Sequence, residues 1–362
     1  MTRGRKWAAS RGGPRDQRSW GLALLLGAMQ ACGDATGPAL FQADIDLAVV
    51  APLAGGGSHV VGQRVDGSGV VDLTPDATFV HDPAWDPHGV HLAYAEGRWP
   101  ETTLRVLDGA GDRVLVDSGQ APRWSPDGAR VAFLRDGRVR TVALDGGGET
   151  AVSPANSQCG PPTWSPTATR LATYCDGPLA GLALMVGDVN GAAVNMVLRS
   201  EVYDWVAPAW SPREDEIALA QTQVAGSPTS RDYDHAVVVV RPDGTEIARI
   251  ATDGWAGDPA WSPVGRRLTF TVASSAVPLW SSNTTGALVV HDLALDQHQV
   301  VPMPPDVAVT RGPPAWSPAG NAVAFTVIHH GQPRVCIVAF GEGGGISLAG
   351  SLVAESPAWR PR

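Results

Sequence analysis

Lysine and charged residues in general are scarce in this chain. Lys6 is the only lysine, and charged residues make up 17% of the 362 residues. A Walker-type phosphate loop requires a lysine, so the sequence excludes that nucleotide site beyond residue 6. Residues 32–362 carry 21 basic against 35 acidic side chains, a balance of −14. This balance argues against nucleic acid as a partner.

Long apolar runs and familiar catalytic motifs are also missing. The apolar run Gly21–Met29 is too short for a permanent membrane-spanning helix. Neither a G-x-S-x-G elbow nor an H-E-x-x-H motif occurs, and no histidine has the spacing of a closed zinc site with cysteines. The sequence therefore predicts no catalytic residue, no metal site and no cofactor.

Glycine and proline, in contrast, are abundant. The chain contains 42 Gly and 30 Pro, and 44% of its residues are hydrophobic. This composition is typical of many short strands joined by turns. The apolar fraction is too high for a disordered chain, so the composition favours a folded protein rich in β-structure.

The N-terminal segment has the order of a targeting sequence. Six Arg or Lys residues occur within residues 1–31, and several precede the short apolar run "GLALLLGAM". A basic region followed by a short apolar run predicts a signal peptide. Residues 1–31 are therefore predicted to be a signal peptide, residues 32–42 a tether, and residues 43–362 the folded domain.

Cys32 stands directly after the apolar run and Ala31. This position resembles the bacterial lipobox, in which the cysteine is lipidated and becomes the first mature residue. Met29 and Gln30 replace the usual Leu and small residue, so an ordinary cleaved signal peptide with an incidental cysteine remains an alternative. Gly33, rather than Asp, follows the cysteine, which resembles lipoproteins sent to the outer membrane. The resemblance thus implies an exported protein with a lipid anchor at Cys32.

One short pattern recurs along the rest of the chain. "PRWSPDGARVAF" shows it most fully: Pro and Trp, a Ser-Pro turn, then an alternating apolar strand. The motif tryptophans lie 39 to 55 residues apart, a period that predicts one four-stranded propeller blade per repeat. Six copies are complete and a seventh is truncated; they begin at Pro83, Pro122, Pro162, Pro208, Pro259, Pro314 and Pro357.

The two ends of the chain complement one another. Residues 43–74 hold three strand-like runs without a Trp motif, and "PAWRPR" at the C-terminus is a first strand without the other three. Together they make one blade. The sequence therefore predicts an all-β, seven-bladed propeller of four-stranded antiparallel blades, closed by pairing the N-terminal strands with the C-terminal strand.

The motif P-x-W-S-P-D-G followed by an apolar strand resembles the TolB-like propeller repeat, a relative of WD40 repeats. The resemblance covers residues 43–362. It implies a propeller found in envelope complexes, in stand-alone lipoproteins or attached to peptidases. TolB itself has six blades and an additional N-terminal α/β domain, for which residues 32–43 leave no room. We therefore expect a propeller of this repeat class rather than a TolB orthologue.

The loops after second and fourth strands should share one face, and these are the loops that lengthen. Insertions on one face of a repeat protein usually mark the binding face. Most aromatics outside the motif map to that face, where they form either a surface that stacks on a partner or small cores under the loops. The candidate partner-binding aromatics are Trp99, Trp205, Tyr233, Trp255 and Trp280.

The residue before each motif Pro should lie near the mouth of the central channel. Two of these residues are acidic, Asp82 and Asp258, and Arg311 lies nearby. They are candidates for holding a cation or a basic group of a ligand. Ordinary solvated loop charges are the alternative.

Cysteines are few, and two of them occupy matching places in one hairpin. If Thr163 faces Leu171, the same register places Cys159 opposite Cys175. A disulfide is possible in an exported protein, and two separate buried thiols are the alternative. Cys336 is predicted to be a core thiol.

Three functions remain open. The leading hypothesis is a non-enzymatic, lipid-anchored envelope protein, monomeric and facing the periplasm or the surface, whose long-loop face binds a protein or a glycan. The second is an enzyme on the same scaffold, such as a carbohydrate lyase or hydrolase, with its active site at the channel mouth. The third is a structural module of a larger assembly.

Overall fold

All regular structure in the described part of the chain is β-strand. The computed structural model describes residues 44–176, 182–200, 207–224, 233–274, 286–304, 306–310, 312–340 and 345–361. Within these ranges, paired strands run antiparallel and no helix is long and apolar enough to cross a membrane. The all-β prediction is confirmed.

Five of the sheets have four strands each. The first joins the ends of the chain, in the order β29 (Glu355–Trp359), β1 (Leu47–Pro52), β2 (Ser58–Gln63) and β3 (Val71–Asp72). The second contains β4 (Val80–Trp85), β5 (Leu92–Arg98), β6 (Glu101–Asp108) and β7 (Gly111–Val116). The third contains β8 (Gln120–Trp124), β9 (Arg130–Arg135), β10 (Arg138–Ala143) and β11 (Thr150–Ala151).

The next two sheets follow the same sequential order. One contains β12 (Thr163–Trp164), β13 (Arg170–Asp176), β14 (Leu182–Asp188) and β15 (Val194–Ser200). The other contains β16 (Ala209–Trp210), β17 (Ile217–Val224), β18 (Tyr233–Val240) and β19 (Glu246–Thr252). The predicted four-stranded antiparallel sheets are confirmed for these repeats.

The last two repeats form one nine-stranded sheet rather than two separate sheets. Its strands are β20 (Gly254–Trp261), β21 (Arg267–Ser274), β22 (Gly286–Asp292), β23 (Gln297–Val301), β24 (Val307–Val309), β25 (Ala315–Trp316), β26 (Ala322–His329), β27 (Gln332–Ala339) and β28 (Ile346–Leu348). The link is β24, which pairs with β26 over three residues and with β22 only at Gly286 and Val309. Sequence reasoning missed β24 because it lies in a connection.

The hydrophobic core lies between neighbouring sheets. In one cluster, Leu184 of β14 packs with Trp210 and Leu219 of the next sheet, and each of these side chains is at most 5% exposed. Motif tryptophans also bridge sheets through hydrogen bonds, because the indole N–H needs an acceptor when it is buried. Nε1 donates to a carbonyl of the preceding repeat in Trp124, Trp164, Trp261, Trp316 and Trp359, at 2.7–3.1 Å.

The two ends of the chain meet in one sheet. β29 pairs with β1, with Leu47 opposite Trp359. The backbone N–H of Arg360 also donates to the carbonyl of Asp46 at 2.8 Å. The composite sheet therefore contains one strand from the C-terminus and three from the N-terminal part of the described chain.

A disulfide joins the third repeat's first hairpin at its start. Cys159 and Cys175 face each other as an isolated bridge, and their sulfur atoms are 2.06 Å apart. The register assumed from the sequence is wrong, however, since Thr163 pairs with Ala172 and not with Leu171. The register therefore changes by one residue between the cysteine pair and β12. Cys336 is a free, buried thiol whose pKa burial raises to about 12.

Candidate functional site: the channel mouth

The first strands of the repeats enclose one channel. Its cavity has a volume of about 1250 Å³. The motif tryptophan of every copy contributes to the lining, from Trp85 to Trp359. Because each of these residues belongs to the first strand of its repeat, the first strands form the inner wall of the molecule. We therefore examined this channel as the candidate site.

The register of the strands defines which end of the channel is which. Val80 pairs with Glu96, so the residues that precede a motif Pro lie beside the turn between second and third strands. We call this end the loop face; it carries the β5–β6, β9–β10 and β26–β27 turns. The strands that flank residues 177–181, 225–232 and 275–285 also end there. Long connections are therefore limited to three consecutive repeats.

Arg123 is the exceptional side chain of the inner wall. It occupies the position between the motif Pro and Trp, and that position faces the channel in every copy. The matching residues are small: Ala84, Thr163, Ala209, Ala260, Ala315 and Ala358. A guanidinium group thus enters a wall that is otherwise built from methyl and hydroxyl groups at this level.

The environment of Arg123 leaves most of its donors for the channel. Nη1 donates to the carbonyl of Pro122 at 2.9 Å, and a guanidinium group has five N–H donors. Burial lowers the pKa of Arg123, and the negative charge of Asp82 partly offsets that effect. The group remains a cation at neutral pH, because an arginine is not deprotonated in proteins.

Asp82 lines the same part of the channel. Its Oδ2 lies 2.9 Å from Nδ1 of His81 and accepts a hydrogen bond from the backbone N–H of Ala121 at 3.3 Å. Burial on its own raises the pKa of this carboxyl, but the hydrogen bond from His81 and the charge of Arg123 outweigh it. The pKa of Asp82 is therefore lowered, and the carboxylate is ionised at neutral pH.

Asp258 has a related position but does not line the channel. Both aspartates sit at a bulge with a positive φ, 53° for Asp82 and 51° for Asp258. Oδ2 of Asp258 accepts from the backbone N–H of Gly312 in the next repeat, at 3.1 Å. The ring of mouth residues expected from the sequence is thus only partly formed. Asp82, Ala207, Pro313 and Ser356 line the channel, whereas Ala121, Pro161 and Asp258 do not.

The predicted aromatic residues have different environments. Trp99 lies in the β5–β6 turn at the loop face and is 76% exposed. Trp255 is half-buried, and its ring packs against His235 with 4.7 Å between ring centroids. Tyr233 begins β18. Four further candidates, Cys32, Trp205, Trp280 and Arg311, and the side chain of Tyr233 lie outside the described residues.

Sequence reasoning missed Arg123 and also a group of possible metal ligands. Arg123 had a signal, because it is the only charged residue at a motif position that holds Ala or Thr elsewhere. The adjacent histidines His329 and His330 were noticed, but Asp306 was not. The structure brings ligand atoms of these three residues within 4.8 Å of one another at the loop face.

Comparisons with known proteins identify the architecture. No family model matches the sequence, and no curated protein matches it. Solved structures do match: TolB from Acinetobacter baumannii is 15% identical, over 76% of this chain and 68% of that chain, with a TM-score of 0.53. The β-propeller domain of the Trilobed protease from Pyrococcus furiosus is also 15% identical, over 76% and 85%, with a TM-score of 0.55.

A third similar structure is an enzyme. The oligogalacturonate lyase from Vibrio parahaemolyticus is 12% identical, over 84% of this chain and 85% of that chain, with a TM-score of 0.55. At such identities the similarity shows the fold alone. The chain is a β-propeller, and more particularly it has the TolB-like propeller fold that the repeat motif indicated.

Proposed function

We propose that this protein is an exported, lipid-anchored propeller that binds a segment of another envelope protein at the loop-face mouth of its channel. Arg123 carries the proposal. It is a cation in a wall of small residues, and only Nη1 has a hydrogen bond within the described protein, to Pro122. Peptide carbonyls and carboxylates accept hydrogen bonds from a guanidinium group, and a charged donor strengthens such bonds.

The other charges at the mouth favour a polypeptide over a simple anion. Asp82 and Glu355 line the same channel and are acidic. The chain beyond the predicted signal peptide is also strongly acidic, which favours a partner with basic groups. A peptide segment offers both cationic side chains for the carboxylates and carbonyl groups for Arg123. A glycan without cationic groups would use only half of this surface.

The ring that encloses the channel is proposed to have seven blades and to be closed. The nine-stranded sheet divides into two four-stranded blades, because only β24 links them. With the other five sheets this makes seven. The last and first motif copies also touch: Nε of Arg360 donates to the carbonyl of Gly89 at 2.9 Å, and its guanidinium lies 5.1 Å from the Trp85 ring centroid.

The binding proposal is tested by changing Arg123 to Met, which keeps the length of the side chain and removes its donors. Capture of a protein partner from an envelope extract should fall about tenfold or more, because hydrogen bonds to charged groups contribute roughly 1.5–3 kcal/mol. Arg241→Met is the matched control, since Arg241 is exposed in the β18–β19 turn on the opposite face. Equal capture by both variants and the parent would remove the channel mouth as the binding site.

The same proteins should be incubated with oligogalacturonate to test the enzyme alternative. A lyase breaks the glycosidic bond by elimination and leaves an unsaturated sugar, which is followed by its ultraviolet absorbance. We expect neither cleavage nor saturable binding of this glycan. Cleavage that disappears in Arg123→Met would replace the binding proposal with the enzyme alternative, and binding without cleavage would make a glycan the partner.

Export and lipidation are supported by the N-terminal sequence and by the Cys159–Cys175 disulfide, since disulfides persist in oxidising compartments. Replacing Cys32 with Ala removes the residue proposed to carry the lipid. In the native host, this variant should move from the membrane fraction to the soluble envelope fraction, as measured by fractionation and immunoblotting. Cys336→Ala, which removes a cysteine far from the leader, should remain with membranes. Membrane retention of Cys32→Ala would show that the anchor is not at this cysteine.

A further inference from the structure

Three potential metal ligands meet at the loop face, away from the channel lining. Asp306 lies just before β24, whereas His329 ends β26 and His330 follows it in the β26–β27 turn. β24 pairs with β26, with Val307 opposite His329. The pairing of two strands therefore brings a carboxylate to two imidazoles that are 23 and 24 residues further along the chain.

The distances between these ligand atoms fit one small cation. Nε2 of His329 is 2.9 Å from Oδ2 of Asp306, and Nε2 of His330 is 3.7 Å from the same oxygen. Two ligands on a tetrahedral zinc ion, with bonds of about 2.0–2.1 Å, lie about 3.3 Å apart. The two observed distances fall on either side of that value. A small rotation of the imidazoles would therefore place all three atoms around one ion.

The turn that carries His330 presents an imidazole at a position where another residue is favoured. His330 and Gly331 both have positive φ, 51° and 73°, and they connect the paired residues His329 and Gln332. This two-residue turn is of type I′, which favours Asn or Asp at the first position. The matching β9–β10 turn has Asp136 there.

Access and charge are also suitable for an ion. The side chains of Asp306 and His330 are 47% and 75% exposed, so an ion can reach the site directly from solvent. Hydrogen bonding to its own backbone N–H lowers the pKa of Asp306, and the neighbouring histidines act in the same direction. The carboxylate is thus ionised and available as a ligand at neutral pH.

From this geometry we propose that Asp306, His329 and His330 bind a divalent transition-metal ion, with zinc as the reference ion. Imidazole and carboxylate ligands are a donor set that zinc accepts, and three protein ligands leave a fourth position for water or a partner's side chain. This site is independent of the proposed channel binding, because none of its ligands lines the channel.

Zinc binding is measured by isothermal titration calorimetry on the full chain, purified without a histidine tag and treated with chelator. We expect one zinc ion per chain in the parent. Asp306→Asn and His329→Ala should each weaken binding by at least about tenfold, since even partners outside the first coordination shell contribute 10–100-fold. Titration with Co²⁺ provides a second readout, because the intensity of its visible absorption reports four-coordinate geometry.

His330→Asn separates a metal site from a structural role. Asn-Gly is the preferred sequence of a type I′ turn, so this variant should keep or raise the melting temperature while it loses zinc affinity. His59→Ala is the matched control, because His59 also pairs with a carboxylate, Asp72 at 2.6 Å, but belongs to no such triad. Absence of stoichiometric binding by the parent, or unchanged affinity in His329→Ala and His330→Asn, would overturn the proposal.

Discussion

At the residue scale, the motif tryptophan and the loop tryptophan are chemically alike but physically different. Trp124 is 9% exposed and donates from Nε1 to the carbonyl of Ala84 in the preceding repeat. Trp99 is 76% exposed at the loop face. The first side chain therefore stabilises the contact between sheets, whereas the second contributes mainly to the surface that a partner would meet.

Replacement of Trp124 with Ala should lower the free energy of unfolding by roughly 3–5 kcal/mol, because it opens a cavity between two sheets and leaves a carbonyl without its donor. Trp99→Ala should change it by no more than about 0.5 kcal/mol, as for other surface positions. Urea unfolding of both variants and the parent gives these values. Similar losses for the two variants would show that Trp99 belongs to the core.

At the element scale, the Ser-Pro turn explains why a serine recurs after the tryptophan. In three copies, the serine Oγ accepts from the backbone N–H five residues later, at 3.0 Å; these are Ser125, Ser165 and Ser317. The first copy has Asp86 instead, and its Oδ1 accepts from the N–H of His91 at the same distance. A short side-chain acceptor thus closes the turn, and either residue satisfies that requirement.

One turn lacks the glycine found in the others, and it pays for this in backbone strain. Ala168 has φ of 57°, whereas Gly128 at the matching position has φ of 70°. A non-glycine residue in the left-handed region loses roughly 1–2 kcal/mol. Ala168→Gly should therefore stabilise the protein by about 1 kcal/mol, and Gly128→Ala should destabilise it by a similar amount. Denaturant titration measures both, and a loss of stability in Ala168→Gly would contradict this account of the turn.

At the scale of the whole molecule, the two ends of the chain share one sheet and one core. Leu47 and Val49 of β1 pack in the same cluster as Trp359 of β29 and Ala324 of the preceding repeat. Removing the C-terminal strand would leave β1 without its neighbour and expose an unpaired edge, which favours aggregation. The stability of every repeat next to this sheet then depends on the last few residues of the chain.

A chain that lacks residues 357–362 should lose at least about 3 kcal/mol of unfolding free energy, since Trp359 is a large aromatic side chain in the core. Its thermal transition should also broaden, because a ring that is no longer closed unfolds less cooperatively. A control chain without Pro361 and Arg362 keeps β29 and should melt like the parent. An unchanged, sharp transition in the longer deletion would contradict the closed seven-bladed ring.

Much of the architecture follows from local patterns and could be predicted. The alternation of apolar residues, the turn chemistry and the repeat length are all local, so they determine where strands begin and how many each repeat contains. The same holds for the composite sheet, because the missing strands at each end are visible in the sequence. β24 was not visible, since three residues in a connection form a strand only when a neighbouring edge accepts them.

The functional surface depended on tertiary structure, for a physical reason. Which side chains enter the channel is decided by bulges and by hydrogen bonds between repeats, so Asp82 lines it while the equivalent Asp258 turns to Gly312. The Asp306 and His329 pair arises from strand pairing across 23 residues. Sequence alone determined the fold because strand and turn preferences are local. Only the folded chain decided which distant polar groups meet, because pairing register sets distances that no local pattern encodes.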